Sequence, residues 1–449
     1  MAERGRFLDG STMGHVTRMT LLGGVGITFV FLVDLVNLFW IAYFGNEQLV
    51  AAIGFAFAVQ FFSVSTGVGM MIATTAIVSR QIGRGDMDRA REEATSAMIL
   101  TVGFQACVAT LIVLFRYPLL ELVGAQGETL EMAARYLLIT IPSLAIMAIG
   151  LSGSAILRAE GDGRRAMYVT VSGGVLLLFI DPPLIYLLGL DGAAIGIVLF
   201  RITLAIQAMR FLIGKHDLLA PPTVAALKRC VLPFFAVAGP ALLTQMATPF
   251  GYYILTSVIA PFGDSAVAGW AVVNRVSVVA FGSIFSLSGA VGGIFGQNYG
   301  AELWARVRTT YRDALLFCLG YTVFAWAVLS LSASSIIAAF NLSSEGAEVY
   351  RAFGYVGSAS FILLGGLFVS VSAFNSLGKP IRATLMTWLR DGVLMLPVAW
   401  WMASLTGATG AVYAQAMVGS AVGILSAFWG WRFVASLGQS DPATSQEPA

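Results

Sequence analysis

The chain has 449 residues, 58 % of them hydrophobic and 11 % charged, with a mean hydropathy of +0.83 and a net charge of +2. Soluble globular chains carry about 25 % charged residues, so this composition argues against a water-soluble enzyme and for a membrane protein. The small net charge gives no reason to expect nucleic acid or an acidic partner.

A helix needs about 20 residues to cross a hydrocarbon layer about 30 Å thick. Behind a polar, basic start, the first apolar run reaches from Leu21 to Phe44; it is too long for a signal segment and is read as a retained span. Further apolar runs lie at 49–79, 93–115, 132–157, 166–189 and 192–213. A polar linker, Gly214 to Arg229, carries Pro221-Pro222. The pattern resumes at 230–260, 265–296, 310–334, 351–376, 383–405 and 410–434, so twelve spans are expected. The implied organisation is an amino-terminal six-helix lobe (1–213), a cytoplasmic linker (214–229), a carboxy-terminal six-helix lobe (230–434) and a disordered cytoplasmic tail (435–449).

Lys and Arg mark cytoplasmic loops. Arg80, Arg84, Arg89 and Arg91, then Arg158, Arg164 and Arg165, then Lys215, Lys228 and Arg229 fall on one side, followed by Arg306, Arg308 and Arg312, and by Lys379 and Arg382. The opposite loops FGNEQL, LGLDG, PFGDS and LTGATG have none, so both termini are expected to face the cytoplasm. The halves also repeat at a fixed offset. Gly83, Arg89 and Arg91 recur 217 positions later as Gly300, Arg306 and Arg308, and Gly161, Arg165 and Ala166 recur as Gly378, Arg382 and Ala383. Two parallel repeats imply a pseudo-twofold axis along the membrane normal, with a substrate path at their interface.

Ionisable groups within spans are costly and mark function by default. Asp34 lies in the first span, with Asn37 one turn away on the same face, and Asp181 lies in the fifth, before Pro182-Pro183. The prolines are expected to break the helix there, and the two carboxylates to titrate as a coupled pair able to bind H+ or Na+. Arg201 and Arg275 are also deep; an interhelical tie is the stronger reading for Arg201. Arg390-Asp391 is read as structural, with the arginine snorkelling to the interface. Gln60, Gln105, Gln207, Gln245, Asn274, Asn375 and Gln415 are candidates for a hydrated substrate path, with interhelical hydrogen bonding the alternative for each. Tyr252 and the abundant Met and Phe residues suit an adaptable cavity wall. Cys107, Cys230 and Cys318 lack metal spacing and are read as packing residues, and His15 and His216 fall outside the spans. No HExxH, GxSxG or Walker pattern occurs, so catalytic chemistry has no visible carrier, and neither a cofactor nor a resident metal is expected.

Five stretches in this order resemble the multidrug and toxic compound extrusion (MATE) family, over nearly the whole chain. They are LVDLVNLFWIAYFGNEQLVAAIG, SRQIGRGDMDRAR, ILRAEGDGRRAM with IDPPLIY, FGQNYGAELWARVR, and NSLGKPIRATLMTWLR. The resemblance implies twelve helices in two lobes around a central cavity, in a plasma or bacterial inner membrane, and two self-contained lobes make a functional monomer the expectation. It also implies export of amphipathic organic cations in exchange for H+ or Na+, with Asp34 and Asp181 as coupling carboxylates. Sodium-coupled members resemble one another in having an Asn four residues before the Asp-Pro; here that residue is Leu177. The seventh and tenth spans hold no acidic residue, and both departures favour H+ and a DinF-like branch. The first span also lacks the kinking proline of some members. A sodium-coupled antiporter and a flippase of lipid-linked saccharides remain the alternatives.

Overall fold

In a computed structural model, residues 5–44 and 47–439 are described; the side chains of Asp34, Asn37, Lys215 and several residues between 35 and 50 lie outside the described residues, as does the tail 440–449. The first half holds α1 (Thr12–Phe44), α2 (Glu47–Arg84), α3 (Met87–Leu114), a short α4 (Arg116–Leu122), α5 (Gly127–Thr140), α6 (Leu144–Glu160), α7 (Gly163–Leu188) and α8 (Leu190–Phe211). The second half holds α9 (Val224–Ile259), α10 (Asp264–Ala290), α11 (Gly292–Gly300), α12 (Trp304–Leu331), a short α13 (Ala333–Ala339), α14 (Ser344–Ala352), α15 (Ser358–Ser376), α16 (Pro380–Trp388), α17 (Met395–Thr406) and α18 (Thr409–Ser436). Among the described residues every regular element is helical. Among the described residues eleven helices are long and apolar enough to cross a membrane. The remaining span, α16 with α17, carries Arg390 and Asp391 in the π turn Leu389–Leu394 that joins them.

The halves match in detail. α3 and α12 start at 87 and 304 and end at 114 and 331; the seven-residue α4 and α13 start at 116 and 333; α5 and α14 start at 127 and 344. All of these pairs lie 217 positions apart, so the repeat seen in the loops extends through the helices. Local chemistry explains the shared turns. Gly161, at φ +107°, ends α6 in the left-handed region where a side chain is strained, and the Asp162 carboxylate then accepts the Arg165 N–H at 3.0 Å to cap α7. In the second half Gly378, at φ +85°, plays the same part, and Pro380 opens α16 at a position that needs no N–H.

Two expectations need correction. Pro182 and Pro183 do not break α7, which runs unbroken through them. A proline removes one backbone donor, but close packing on α8 keeps the helical path, since a Cβ on Gly192 would lie 2.0 Å from the Leu184 carbonyl oxygen. The break falls instead at Pro142, where the 3-10 turn Ile141–Ser143 separates α5 from α6. The linker is also shorter than expected: α9 begins at Val224, with the Thr223 hydroxyl accepting the Ala226 N–H as its cap.

The first half holds two apolar clusters, one of which takes in Cys230, Phe234, Val237 and Ala238 of α9, the second half holds a third, and α1 serves both halves. It packs on α7 within the first half and on α10 and α12 of the second, while α2 meets α9 and α11. Phe7, Val16 and Met19 are buried in the core of the second half. Exposed Phe179, Leu187, Leu232, Leu331 and Trp400 belong to the apolar outer surface that a bilayer covers.

Candidate transport and ion-coupling site

Asp181 is 2 % exposed, and its carboxylate lies directly against α8: a Cβ on Gly196 would stand 1.9 Å from its Oδ1. Only a residue without a side chain fits there, so Gly196 shapes the seat of this carboxylate. Leu177, one turn earlier, is buried beside the same glycine. α1 and α7 run in parallel and touch where Phe29 and Val33 lie 2.7 and 3.1 Å from a Cβ built on Gly174. Gly174 thus lies level with about residue 31 of α1, which places the α1 backbone at Asp34 about one turn, or about 6 Å, from the level of Asp181 along the helix axis. The side chains of Asp34 and Asn37 lie outside the described residues.

Two other sequence candidates meet in this half. The 3-10 turn makes the Leu144 N–H bond to Ile141, which releases the Thr140 carbonyl from the helical ladder. Arg201 of α8 takes up that carbonyl at 2.6 Å and the Ser143 hydroxyl at 2.9 Å. Gln60 of α2 donates to the Thr140 hydroxyl at 2.7 Å. Arg201, 3 % exposed, is therefore an interhelical tie holding the α5–α6 bend, and Gln60 supports it. Gln105, fully buried, accepts from Thr66 at 3.2 Å between α2 and α3.

The second half inverts the arrangement. The position 217 after Asp34 is Gly251, and the position 217 after Gly174 is Asp391. Asp391 is 2 % exposed and faces Gly251, whose Cβ would lie 2.9 Å from its Oδ1. Arg390 clamps it with two bonds, at 2.7 and 2.8 Å. This arginine does not snorkel as expected, because the neighbouring carboxylate satisfies it inside the span. Tyr252 packs against Trp270 with ring centroids 6.4 Å apart. Gln207, Gln245 and Asn274 are half-buried and make no hydrogen bond to another described residue, while Arg275 is exposed. Sequence reasoning missed Gly196 and Gly251, since each matters through its contact with another helix; the 217-residue offset links Gly251 to Asp34 and was the available signal.

The MatE family model matches residues 24–182 and 240–401. The FAD transporter of Shewanella oneidensis is 26 % identical over 438 residues, covering 94 % of this chain and 95 % of that protein. The multidrug export protein MepA of Staphylococcus aureus is 22 % identical over 401 residues, covering 87 % of each. A crystal structure of the Vibrio cholerae MATE transporter VcmN, an aspartate-to-asparagine mutant, superposes with a TM-score of 0.89 at 26 % identity, covering 96 % of this chain and 98 % of that one. An outward-facing MATE transporter of the MOP superfamily gives a TM-score of 0.90 at 21 % identity, covering 98 % and 99 % of the two chains. Family members are transporters and not enzymes, and this chain, a multi-pass membrane protein, belongs to the MatE family.

Proposed function

We propose that this MATE transporter exports amphipathic, often cationic organic compounds by alternating access of its halves, in exchange for H+ bound at Asp34 and Asp181. The observation that carries the reading is the seat of Asp181: a carboxylate 2 % exposed within an apolar span, on a helix packed against the one that bears Asp34. A carboxylate that passes between access states without net charge takes up a proton, and a gradient of one pH unit supplies about 1.4 kcal/mol. Apolar Leu177 beside Asp181 offers no oxygen to a sodium ion. The transporter needs no resident cofactor, works as a monomer in the bacterial inner membrane, and keeps its basic loops and both termini in the cytoplasm.

The test is ethidium efflux in inside-out vesicles under an imposed pH gradient and, separately, a sodium gradient. The pH gradient alone should drive transport, and Asp34→Asn or Asp181→Asn should each lower the rate at least about tenfold with insertion intact. Drive by sodium alone would overturn proton coupling.

A second reading, export of an anionic dinucleotide, is favoured by Arg275, which is exposed on α10 eleven residues, or about 16 Å, from the start of that helix. A charge at that depth faces water or an anion rather than lipid, and the Shewanella relative is an FAD transporter. Competition of FAD with ethidium, abolished by Arg275→Gln, would support this reading.

A further inference from the structure

We infer that Arg80 and Gln297 form a reciprocal clasp that shuts the path at the basic end, and that this clasp sets how often that end opens. Arg80, at the end of α2, donates from Nε to the Ser376 carbonyl at 2.8 Å and from Nη2 to that of Asn375 at 3.3 Å, both at the end of α15 in the other half. Gln297, on α11, donates from Nε2 to the Ala159 carbonyl at 2.6 Å, at the end of α6 in the first half. Arg80 and Gln297 are 217 positions apart, and so are Ala159 and Ser376. One bond is therefore the pseudo-twofold image of the other.

The backbone beneath these bonds is as close as helices allow. A Cβ on Gly83 would lie 2.1 Å from the Gln297 carbonyl oxygen, and one on Gly300 would lie 2.1 Å from that of Arg80; the two glycines are again images of each other. On the axis itself Ser79 meets its own image, Gly296, whose Cβ would lie 1.8 Å from the serine hydroxyl. The remaining side-chain hydrogen bonds between described residues of the two halves fall in the same basic half of the molecule, none further along α1 than Thr20, which accepts from Ser286 at 3.0 Å.

Two features make this closure an adjustable one. Asn375 is 1 % exposed, yet neither amide atom finds a protein partner, and its image Arg158 leaves Nε without one. Two buried polar groups beside the clasp thus lack a protein partner, and water that reaches them on opening would offset part of the cost of breaking the clasp. The amino-terminal segment acts the other way, and on the Gln297 side of the clasp. The Phe7 N–H donates to Gln297 Oε1 at 2.9 Å, its carbonyl accepts from Arg306 at 2.8 Å, and Arg6 pairs with Glu160 at 2.8 Å. The segment straps the end of α6 to α11 and α12, and Gln297 is the residue shared by strap and clasp.

The inference deepens the alternating-access reading, but its test does not require transport. Thr75, 3 % exposed, points its methyl at Gly292 across the interface. A Thr75→Cys reporter in a Cys107→Ser background is treated with a membrane-impermeant maleimide from the basic side. The Arg80→Ala/Gln297→Ala pair should raise the labelling rate at least about tenfold, with each single substitution giving part of the rise, while buried Cys230 and Cys318 stay unlabelled. Gly83→Ala, which forces the halves apart by its clash with the Gln297 backbone while both donor side chains remain, should raise it as well. Labelling of those two cysteines at the reporter's rate would mean general unfolding and would overturn the clasp, as would an unchanged rate in both the paired and the glycine variants. Transport failing with labelling raised would count against the coupling reading alone.

Discussion

A single atom position decides much at Asp181. The carboxylate needs Gly196, because any side chain there would occupy the place of Oδ1. Gly196→Ala is therefore expected to push the carboxylate out of its seat and to destabilise the lobe by about 1–3 kcal/mol, the usual cost of overpacking. Measured under a pH gradient, its efflux should fall toward that of Asp181→Asn; wild-type efflux with wild-type thermal stability would show that the contact does not matter. Asp181 stands out in the sequence because a charge in an apolar run is conspicuous. Gly196 does not, because a glycine in a membrane helix is common and its partner sits on another helix.

At the scale of the element, the bends and buried pairs separate what a linear reading can and cannot reach. Apolar run lengths were enough to place the spans, since helix length is tied to bilayer thickness. Proline alone did not locate the bends: Pro182 and Pro183 leave α7 intact, and Pro142 accompanies a real one that Arg201 then fastens. The difference lies in what receives the released carbonyl, which is tertiary information. The Arg390–Asp391 clamp in the α16–α17 turn is a second case, invisible until Gly251 of α9 is seen to close over it. Asp391→Asn removes one partner of a buried pair and should cost about 3–5 kcal/mol in detergent unfolding. Replacing both residues with leucine should cost far less. Equal losses for the two variants would mean that the clamp contributes packing and not charge pairing.

For the whole molecule the 217-residue repeat was the most informative signal, because it fixed which positions correspond and hence that Arg80 answers to Gln297. What it could not supply is asymmetry, and the link between the halves is where that enters. His216, in the π turn after α8, is buried among Glu160, Asp162, Arg165 and Arg6. Arg165 donates to its Nε2 at 2.7 Å, which suits the neutral ring. Burial first, then the Arg165 charge, hold the His216 pKa below its ordinary value of 6.5, against the opposing pull of Asp162. Burial alone would raise the Asp162 carboxyl, but the Arg165 N–H and guanidinium outweigh it and leave its pKa lowered. Both groups thus bind protons more readily in the unfolded chain, so stability rises with pH wherever either titrates. The His216 contribution is fully present above about pH 6.5 and is lost as pH falls below it, toward the lower folded value, while that of Asp162 is lost only in stronger acid. The thermal midpoint in detergent should therefore drop between pH 7.5 and pH 5.5, and His216→Gln, which cannot take up the proton, should flatten that drop. Equal pH slopes for the wild type and His216→Gln would show that this histidine does not carry the sensitivity.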